Sequence, residues 1–301
     1  MISSSEMQEK RDLVTVETVD EMQSIVRAAK QQGHTVGCVP TMGYLHDGHA
    51  SLIRRAAENN DLVVVSIFVN PTQFGPNEDF ERYPRDLERD LSIVGHAGGT
   101  HVFVPSVKEM YPNGARSTIH IDGITEVLEG AARPTHFDGV ATVVSRLFEA
   151  MEPTVAYFGQ KDYQQTLVIR RMVESSPLAS VHVVAIEVLP TMREEDGLAR
   201  SSRNVYLSDT DRRDASIIYA ALRAGADLLA RGEHSLPRVE AAMHSRLCEL
   251  PRLTVEYAVA VDAATLRPPA AVVPGMTIAL LIAARLGSTR LIDNVLVPID
   301  L

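Results

Sequence analysis

The chain contains 301 residues, and at about 150 residues per domain this length predicts two domains, or one large domain with an appendage. Hydrophobic residues make up 45% and charged residues 23%, which is typical of a globular protein and excludes disordered and fibrous classes. Lys and Arg number 29 against 39 for Asp and Glu, and the resulting net charge of −10 argues against a general nucleic-acid binder.

The cysteine content and the amino-terminal sequence bear on location. The two cysteines, Cys38 and Cys248, are too few for a disulfide framework and form no C-x-x-C motif. Residues 1–12 are polar and are expected to form a tail without the apolar core of a signal peptide, and no stretch approaches the ~20 apolar residues that span a bilayer. We therefore expect a cytoplasmic protein that has no membrane contact.

Short β-rich runs alternate with amphipathic stretches through the first two-thirds of the chain, which predicts an α/β fold. Residues 62–69 are almost continuously apolar, as in a parallel strand covered on both faces, and are placed at the centre of the sheet. The predicted strands are 13–16, 35–39, 62–69, 101–104, 155–158 and 181–186. The predicted helices are 19–29, 52–60, 87–96, 139–151 and 164–173. This order predicts a Rossmann-like, doubly wound parallel sheet.

The pattern changes after Pro190. Residues 192–207 are polar and rich in Arg and Ser, and they are followed by two predicted helices and three β-rich runs. The predicted helices are 209–231 and 236–249, and the predicted strands are 254–261, 277–284 and 289–297. We therefore predict a smaller C-terminal α+β domain that acts as a lid. The boundary is placed near residue 191, giving domains 13–191 and 192–301.

The loop at residues 40–48 is the first candidate for chemistry, because ligands of doubly wound sheets bind beyond the carboxyl ends of the strands. Its glycines permit close approach of the backbone to a phosphate, and the following helix offers N–H donors. His46 and His49 project from one turn. We favour phosphate recognition over a structural role or a metal site, because no further Cys or His accompanies the pair. Cys38, in the preceding strand, is expected to be a core residue.

Polar side chains also follow three other predicted strands. After the central strand, Asn70 and Gln73 offer amides that suit hydroxyls and carboxylates, although an Asn-Pro turn could simply end the strand. Lys161 and Asp162 follow residues 155–158 and are either ligand contacts or a surface ion pair. The run 200–204 carries hydroxyl and guanidinium donors that could close over a triphosphate or form a polar linker.

Several blocks together resemble the pantothenate synthetase (pantoate:β-alanine ligase) family, in the nucleotidyl-transferring superfamily with a HIGH-type motif. The blocks are PTMGYLHDGH (40–49), SIFVNPTQFGPNEDFERYPR (66–85), RPTHFDGVATVV (133–144), FGQKDYQQ (158–165), SSRNVYL (201–207) and RLGSTRLIDN (285–294). They occur in the expected order and extend nearly to the C-terminus. The resemblance implies condensation of pantoate with β-alanine through a pantoyl adenylate, with ATP cleaved to AMP and pyrophosphate.

Attack of a carboxylate on the α-phosphate brings two negative charges together, so the site needs cations and hydrogen-bond donors. By similarity, the catalytic set is His46, His49, Lys161, Ser201, Ser202 and Arg203. The resemblance implies ATP contacts from Pro40, Thr41, Met42, Gly43, His46, His49, Gly159, Lys161, Asp162, Met192, Arg200, Ser201, Ser202 and Arg203. Pantoate or β-alanine would contact Met42, Asn70, Gln73 and Gln165.

The resemblance further implies a magnesium ion and a homodimer. The family's acidic pair near the magnesium appears here as Arg89-Asp90, which leaves Asp90 as the candidate protein ligand, with ATP phosphates holding most of the ion. A second departure is Arg200, which stands where the family usually carries Met. Its role is left open.

Two other functions remain as alternatives. A related adenylyltransferase acting on phosphopantetheine or nicotinamide mononucleotide would have a phosphate acceptor, which calls for more cations than the amide set Asn70, Gln73 and Gln165 provides. A catalytically inactive nucleotide-binding module would be marked by loss of a phosphate-binding His or Lys, and His46, His49 and Lys161 are all present. The net charge of −10 and the small second domain disfavour an aminoacyl-tRNA synthetase fragment.

Overall fold

The computed structural model of the chain describes residues 13–76 and 78–300. The predicted tail at residues 1–12 lies outside this range. The N-terminal part is built on six strands, which pair in parallel in the order β1-β4-β3-β2-β5-β6. The strands are β1 (Val14–Val16), β2 (Val36–Thr41), β3 (Leu62–Ile67), β4 (His101–Phe103), β5 (Val155–Gly159) and β6 (Ala185–Leu189). The central position predicted for the 62–69 strand is confirmed.

Helices cover both faces of this sheet. They are α1 (Val19–Gln31), α2 (Asp47–Asn59), α3 (Leu87–Ala97), α4 (Val107–Met110), α5 (Glu129–Ala132), α6 (His136–Met151), α7 (Tyr163–Ser175) and α8 (Ala179–His182). Buried side chains of α2 and α3 pack on one face, whereas those of α1, α6 and α7 pack on the other. This arrangement confirms the doubly wound α/β fold.

Local sequence explains where the first helices begin and end. Thr18 caps α1, and Met22, Val26 and Ala29 recur on the face of α1 that packs on the sheet. Gly33 follows this helix with a φ of 83°, a left-handed conformation that suits glycine and ends the turn. These signals set the bounds of α1, which packs against β2 and α6.

The C-terminal part contains a three-stranded antiparallel sheet and three helices. The strands are β7 (Leu253–Asp262), β8 (Thr277–Leu286) and β9 (Thr289–Pro298), and the helices are α9 (Asp209–Asp214), α10 (Ile217–Ala230) and α11 (Leu236–Leu247). Strand β8 is buried on both faces, because Leu280 and Ile282 pack with α10 and α11 while Ala279 and Leu281 pack with the N-terminal core. The α+β character is as predicted, and the boundary near residue 191 stays a prediction.

Three element predictions need correction. The run 181–186 is not one strand: Val181 lies in α8 with its side chain packed in the core, and β6 starts at residue 185. The helix predicted at 209–231 is two helices, α9 and α10. Pro40 and Thr41 continue β2 rather than start a loop, and Pro40 fits there because β5 pairs with β2 only at Gly37 and Cys38.

No helix within residues 13–76 and 78–300 is both long and apolar enough to cross a bilayer.

Candidate active site

A crevice opens at the carboxyl ends of β2 and β5, where the strand order reverses and α2 and α7 depart toward opposite faces of the sheet. Its inner compartment has a volume of about 230 Å³. Most of the residues predicted to bind substrates line this compartment. They are Pro40, Thr41, Met42, His46, His49, Gln73, Gly159, Lys161, Asp162, Gln165, Met192, Arg200, Ser201, Ser202 and Arg203.

A second, outer compartment of about 400 Å³ adjoins the inner one. The two share the side chains of Arg133, Lys161, Asp162, Ser201 and Arg203. The far wall of the outer compartment is formed by the start of β9, so both sheets of the protein contribute to the crevice. Together the compartments offer room for more than one ligand.

Asp90 shapes the loop that follows β2. Its Oδ2 accepts the Tyr44 N–H at 2.7 Å and its Oδ1 accepts the Leu45 N–H at 2.6 Å. Gly43 begins this turn with a φ of 84°, and a Cβ there would lie 3.0 Å from Asp90 Oδ2. Burial raises the pKa of Asp90, and the two backbone hydrogen bonds offset only part of that effect. Asp90 therefore lies in the interior of the protein and stabilises the backbone of the loop at residues 44 and 45.

This geometry corrects two predictions. Asp90 is 1% exposed and does not line the crevice, and both of its oxygens are already used by backbone N–H groups, so it is not placed to bind a magnesium ion. No group of three or more His, Cys, Asp or Glu side chains suited to a metal occurs in the described part of the chain. Gly43, which was also predicted to contact ATP, lies outside the lining of the inner compartment and serves the turn.

His46 and His49 are held by backbone N–H groups at the start of α2. The Gly48 N–H donates to Nδ1 of His46 at 3.1 Å, and the His46 N–H donates to Nδ1 of His49 at 3.2 Å. Because both Nδ1 atoms accept hydrogen bonds, each neutral ring carries its proton on Nε2. A Cβ on Gly48 would lie 2.8 Å from Cε1 of His46, so only glycine lets this backbone reach the ring.

Both rings are neutral at physiological pH. Burial, followed by the neighbouring His49 ring and the charge of Lys161, lowers the pKa of His46 to about 2. Burial also lowers the pKa of His49 to about 4, with Asp162 opposing and Lys161 assisting the shift. The two rings therefore present N–H donors to the inner compartment without carrying a charge there.

Asn70 does not face the ligand space. Its Oδ1 accepts the Tyr111 hydroxyl at 2.7 Å and the Thr72 N–H at 3.3 Å, and its Nδ2 donates to Gln73 Oε1 at 3.1 Å and to the Gly139 carbonyl at 3.2 Å. It is 1% exposed and absent from the lining. The structure therefore does not place Asn70 against the compartment predicted for pantoate; the residue instead orients Gln73 and ties α6 to the loop after β3.

The two predicted glutamines do line the inner compartment. Gln73 approaches it from the loop after β3, where its Nε2 lies 3.0 Å from the Met42 sulfur. Gln165 approaches it from the first turn of α7. Its neighbour Gln164 is turned away: it accepts the Glu129 N–H and donates to the carbonyls of Ile124 and Val127. Adjacent glutamines thus have different tasks.

Four cations line the inner compartment, and each is paired with a carboxylate. Arg133 forms two hydrogen bonds of 2.6 Å with Glu78, and Arg203 forms two of 2.9 Å with Asp79. Lys161 lies 3.6 Å from Asp162. Burial alone would raise the pKa values of Glu78 and Asp79, but the guanidinium groups outweigh it and hold both below their usual range. These carboxylates are therefore ionised and fix the arginines in place.

Arg200 is the fourth cation. It pairs with Asp47 in the first turn of α2 and with Glu194 at 3.1 Å. Its buried Nε has no hydrogen-bond partner among the residues that the structure describes. The guanidinium thus fastens the segment before Ser201 to the loop that carries His46 and His49.

The serines after Arg200 begin a short 3-10 helix, Ser202–Tyr206. The Ser202 hydroxyl donates to the Tyr44 carbonyl at 3.1 Å, and Ser201 Oγ accepts the Arg203 N–H at 3.3 Å. As an acceptor, the Ser201 hydroxyl keeps its proton available for a ligand in the compartment. The segment therefore contacts the loop that follows β2 and the start of α2 through Ser202 and Arg200 together.

Sequence reasoning assigned no role to the start of α6. There, His136 donates from Nδ1 to the Gln73 carbonyl at 2.8 Å and accepts from Arg133 at 3.0 Å, and burial followed by the charge of Arg133 lowers its pKa to about 4. The apolar wall opposite the histidines is also from α6 and consists of Val140, Val143, Val144 and Leu147. In the sequence, the only sign of these residues was the block 133–144, which spans the start of a helix, whereas candidate site residues were sought after strands.

We predict that Asp90→Ala lowers the free energy of unfolding by about 2 to 5 kcal/mol, because two N–H groups lose their acceptor. The loss should appear in urea titrations in metal-free buffer containing a chelator. Asp86→Ala is the control: it removes a single cap bond to the Arg89 N–H and should cost about 1 kcal/mol. If Asp90→Ala leaves the free energy of unfolding in metal-free buffer unchanged but raises the magnesium concentration needed for activity, Asp90 would again be the candidate metal ligand.

We predict that His46 and His49 remain neutral, protonated on Nε2, from pH 8 down to about pH 5. Long-range ¹H–¹⁵N NMR spectra of the imidazoles report the tautomer directly. Because the folded pKa values lie below the unfolded value of about 6.5, the unfolded chain binds protons first, and the contribution to stability falls from pH 6.5 to about 4 for His49 and to about 2 for His46. Titration of either ring with a midpoint near 6.5 would contradict this assignment.

Comparisons with known proteins agree with this architecture. A family model described as Pantoate-beta-alanine ligase matches residues 14–296. A pantothenate synthetase of Moorella thermoacetica is 50% identical over 285 residues, which cover 95% of this chain and 99% of that relative.

Solved structures agree as well. The crystal structure of pantothenate synthetase from Thermus thermophilus is 46% identical, has a TM-score of 0.86 and covers 94% of this chain and 98% of that one. A pantoate-β-alanine ligase from Francisella tularensis, complexed with beta-gamma ATP and β-alanine, is 35% identical with a TM-score of 0.76, over 95% of this chain and 98% of that one. The chain therefore belongs to the pantoate-β-alanine ligase family.

Proposed function

We propose that the protein condenses pantoate with β-alanine, using ATP and releasing AMP and pyrophosphate, by way of a pantoyl adenylate. One observation carries this proposal: hydrogen-bond donors and a cation suited to bind phosphate line the same compartment as two neutral amides. His46, His49 and Lys161 lie at its α2 and β5 walls, and Gln73 and Gln165 lie within reach of the same space. An anionic phosphate chain and a small hydroxy acid are the ligands that suit such a pair of surfaces.

In the first step, a pantoate carboxylate oxygen attacks the α-phosphorus and pyrophosphate leaves. Charge grows on the phosphate oxygens, and donors that are already oriented stabilise it at no cost of reorganisation. The Nε2–H groups of His46 and His49 meet this requirement because the backbone fixes their tautomer. Lys161, Arg203 and the Ser201 hydroxyl supply the remaining charge and hydrogen bonds.

The enzyme itself need not form a covalent intermediate. Cys38, the one cysteine near the crevice, is fully buried in β2, and burial raises the pKa of its thiol. The Ser202 hydroxyl is hydrogen-bonded to a backbone carbonyl, and within residues 13–76 and 78–300 it has no hydrogen bond to a carboxylate or imidazole that would activate it. These features favour direct attack by the substrate carboxylate.

In the second step, the β-alanine amine attacks the acyl carbon of the adenylate and AMP leaves. Once ATP and pantoate occupy the inner compartment, the outer compartment is the remaining space that adjoins Lys161 and Arg203. We propose that β-alanine reaches the adenylate from there. Arg200, which takes the place of the family's usual Met, would hold the 200–203 segment over the reacting phosphates through Asp47 and Glu194.

We also propose that magnesium accompanies ATP. The residues around the crevice do not fit a protein cage for the ion, because Asp90 is engaged by backbone and the described chain offers no cluster of metal ligands. Phosphate oxygens and water are the ligands that this hard ion prefers, and its bound charge would offset that of the triphosphate. A cytoplasmic location and a homodimer remain proposals that rest on the family resemblance and on the two free cysteines.

The direct test is an AMP-release assay in which each substrate is omitted in turn. We expect AMP only when ATP, pantoate and β-alanine are all present. Without β-alanine, a single turnover should release pyrophosphate and leave the AMP moiety in the bound adenylate. Phosphopantetheine and nicotinamide mononucleotide serve as competing acceptors. Sustained pyrophosphate release with either of them, without pantoate, would assign the protein to an adenylyltransferase instead.

We predict that Gln165→Ala raises the KM for pantoate about 5- to 100-fold, because a polar group of the acid loses its partner at a cost of about 1 to 3 kcal/mol. Stability should change little, since Gln165 lines the compartment. The adjacent Gln164→Ala is the matched control: it should lower stability, because three backbone groups lose a partner. If Gln165→Ala raises the KM for ATP as much as the KM for pantoate, Gln165 belongs to the nucleotide site.

A further inference from the structure

Asn294 lies in β9, far along the chain from the loops that carry the chemistry, yet it touches one of them. Its Nδ2 donates to the carbonyls of Gln160 and Lys161, both at 2.9 Å, and its Oδ1 accepts from Gln160 Nε2 at 3.1 Å. The side chain is 2% exposed. An amide nitrogen has two protons, so both are used to hold the backbone that bears Lys161.

The loop at Lys161 has few other restraints on its backbone. It forms a short 3-10 helix, Gln160–Asp162, between β5 and α7, and neither that helix nor α7 has a side-chain cap. The only ion pair of Lys161 among the described residues is with its neighbour Asp162, at 3.6 Å. The amide of Asn294 is therefore the long-range contact that fixes where this turn sits.

Asn294 is itself held firmly. The neighbouring Asp293 accepts the Asn294 N–H at 2.7 Å and receives two hydrogen bonds from Arg193, at 2.6 and 3.0 Å. Arg193 also donates to the Asn294 carbonyl at 3.2 Å and stacks over the Tyr219 ring at 3.9 Å. The same point of β9 thus contacts the Lys161 turn on one side and the segment leading to Ser201 on the other.

We infer that Asn294 is a positioning residue for phosphoryl transfer. By holding the backbone of residues 160 and 161 it fixes the position of the Lys161 ammonium, and it thereby couples the C-terminal sheet to the reacting phosphate. The inference rests on the proposed function, in which Lys161 contacts the phosphates. Asn294 touches no substrate in this account. Its effect on the rate must therefore pass through Lys161.

A double-mutant cycle tests this dependence. We expect Lys161→Ala to slow AMP formation by about 10² to 10³. Asn294→Ala should slow it by about 10- to 100-fold, since small displacements of a catalytic group are costly. In the Lys161→Ala background, Asn294→Ala should change the rate less than about twofold, because the group that it positions is gone.

A control separates positioning from general loosening of β9. Val297→Ala removes a buried apolar side chain from the same strand without touching the Lys161 turn, and it should lower the thermal midpoint while keeping a near-normal rate. If Asn294→Ala does not fold, Asn294→Asp takes its place in the cycle, because it keeps the size but loses both donated hydrogen bonds.

The outcomes are distinguishable. Near-normal turnover of Lys161→Ala would remove Lys161 from the proposed mechanism and the inference with it. If Lys161→Ala slows AMP formation but Asn294→Ala does not, the inference is overturned while the proposed function stands. Equal slowing by Asn294→Ala in both backgrounds, or a rate loss in Val297→Ala that matches it, would also overturn the inference. Loss of rate in Asn294→Ala that disappears in the Lys161→Ala background supports the inference.

Discussion

The cations of the crevice depend on carboxylates that stand behind them. Arg133 and Arg203 each donate two hydrogen bonds to one carboxylate, and Arg200 is held between Asp47 and Glu194. None of the carboxylates that hold these arginines lines the inner compartment, whereas the guanidinium groups do; among the described residues Asp162, the partner of Lys161, is the one paired carboxylate in that lining. A chain with a net charge of −10 thereby turns a positive surface toward its ligands, and its excess of acids orients the arginines instead of repelling phosphate.

The sheet topology decides which of these groups meet. Since β2 and β5 are neighbours but lead to helices on opposite faces, the loops after them face each other across an open crevice. The first loop delivers His46 and His49 at the start of α2, and the second delivers Lys161. Strand β9, the segment after β6, the loop after β3 and α6 form the other sides, so residues from both sheets surround the crevice.

Sequence was sufficient for the fold class, the central strand and most of the crevice, because strand ends in a doubly wound sheet are where ligands bind. It was insufficient for Asp90 and Asn70, whose side chains look like ligand contacts but satisfy backbone and hydroxyl groups 41 to 69 residues away. Such partners are set by tertiary packing. His136 was missed because it approaches from a helix start. Asn294 was missed because its partner loop is 133 residues distant.

The central claim is that the pantoate carboxylate attacks the α-phosphorus of ATP. It is tested by supplying pantoate labelled with ¹⁸O in its carboxylate, together with ATP and β-alanine, and by measuring the mass of the AMP formed. One ¹⁸O should appear in the AMP phosphate, because the oxygen that bridges the acyl carbon and phosphorus leaves with AMP when the amine attacks. AMP free of ¹⁸O, with pantothenate formed at a normal rate, would contradict the account.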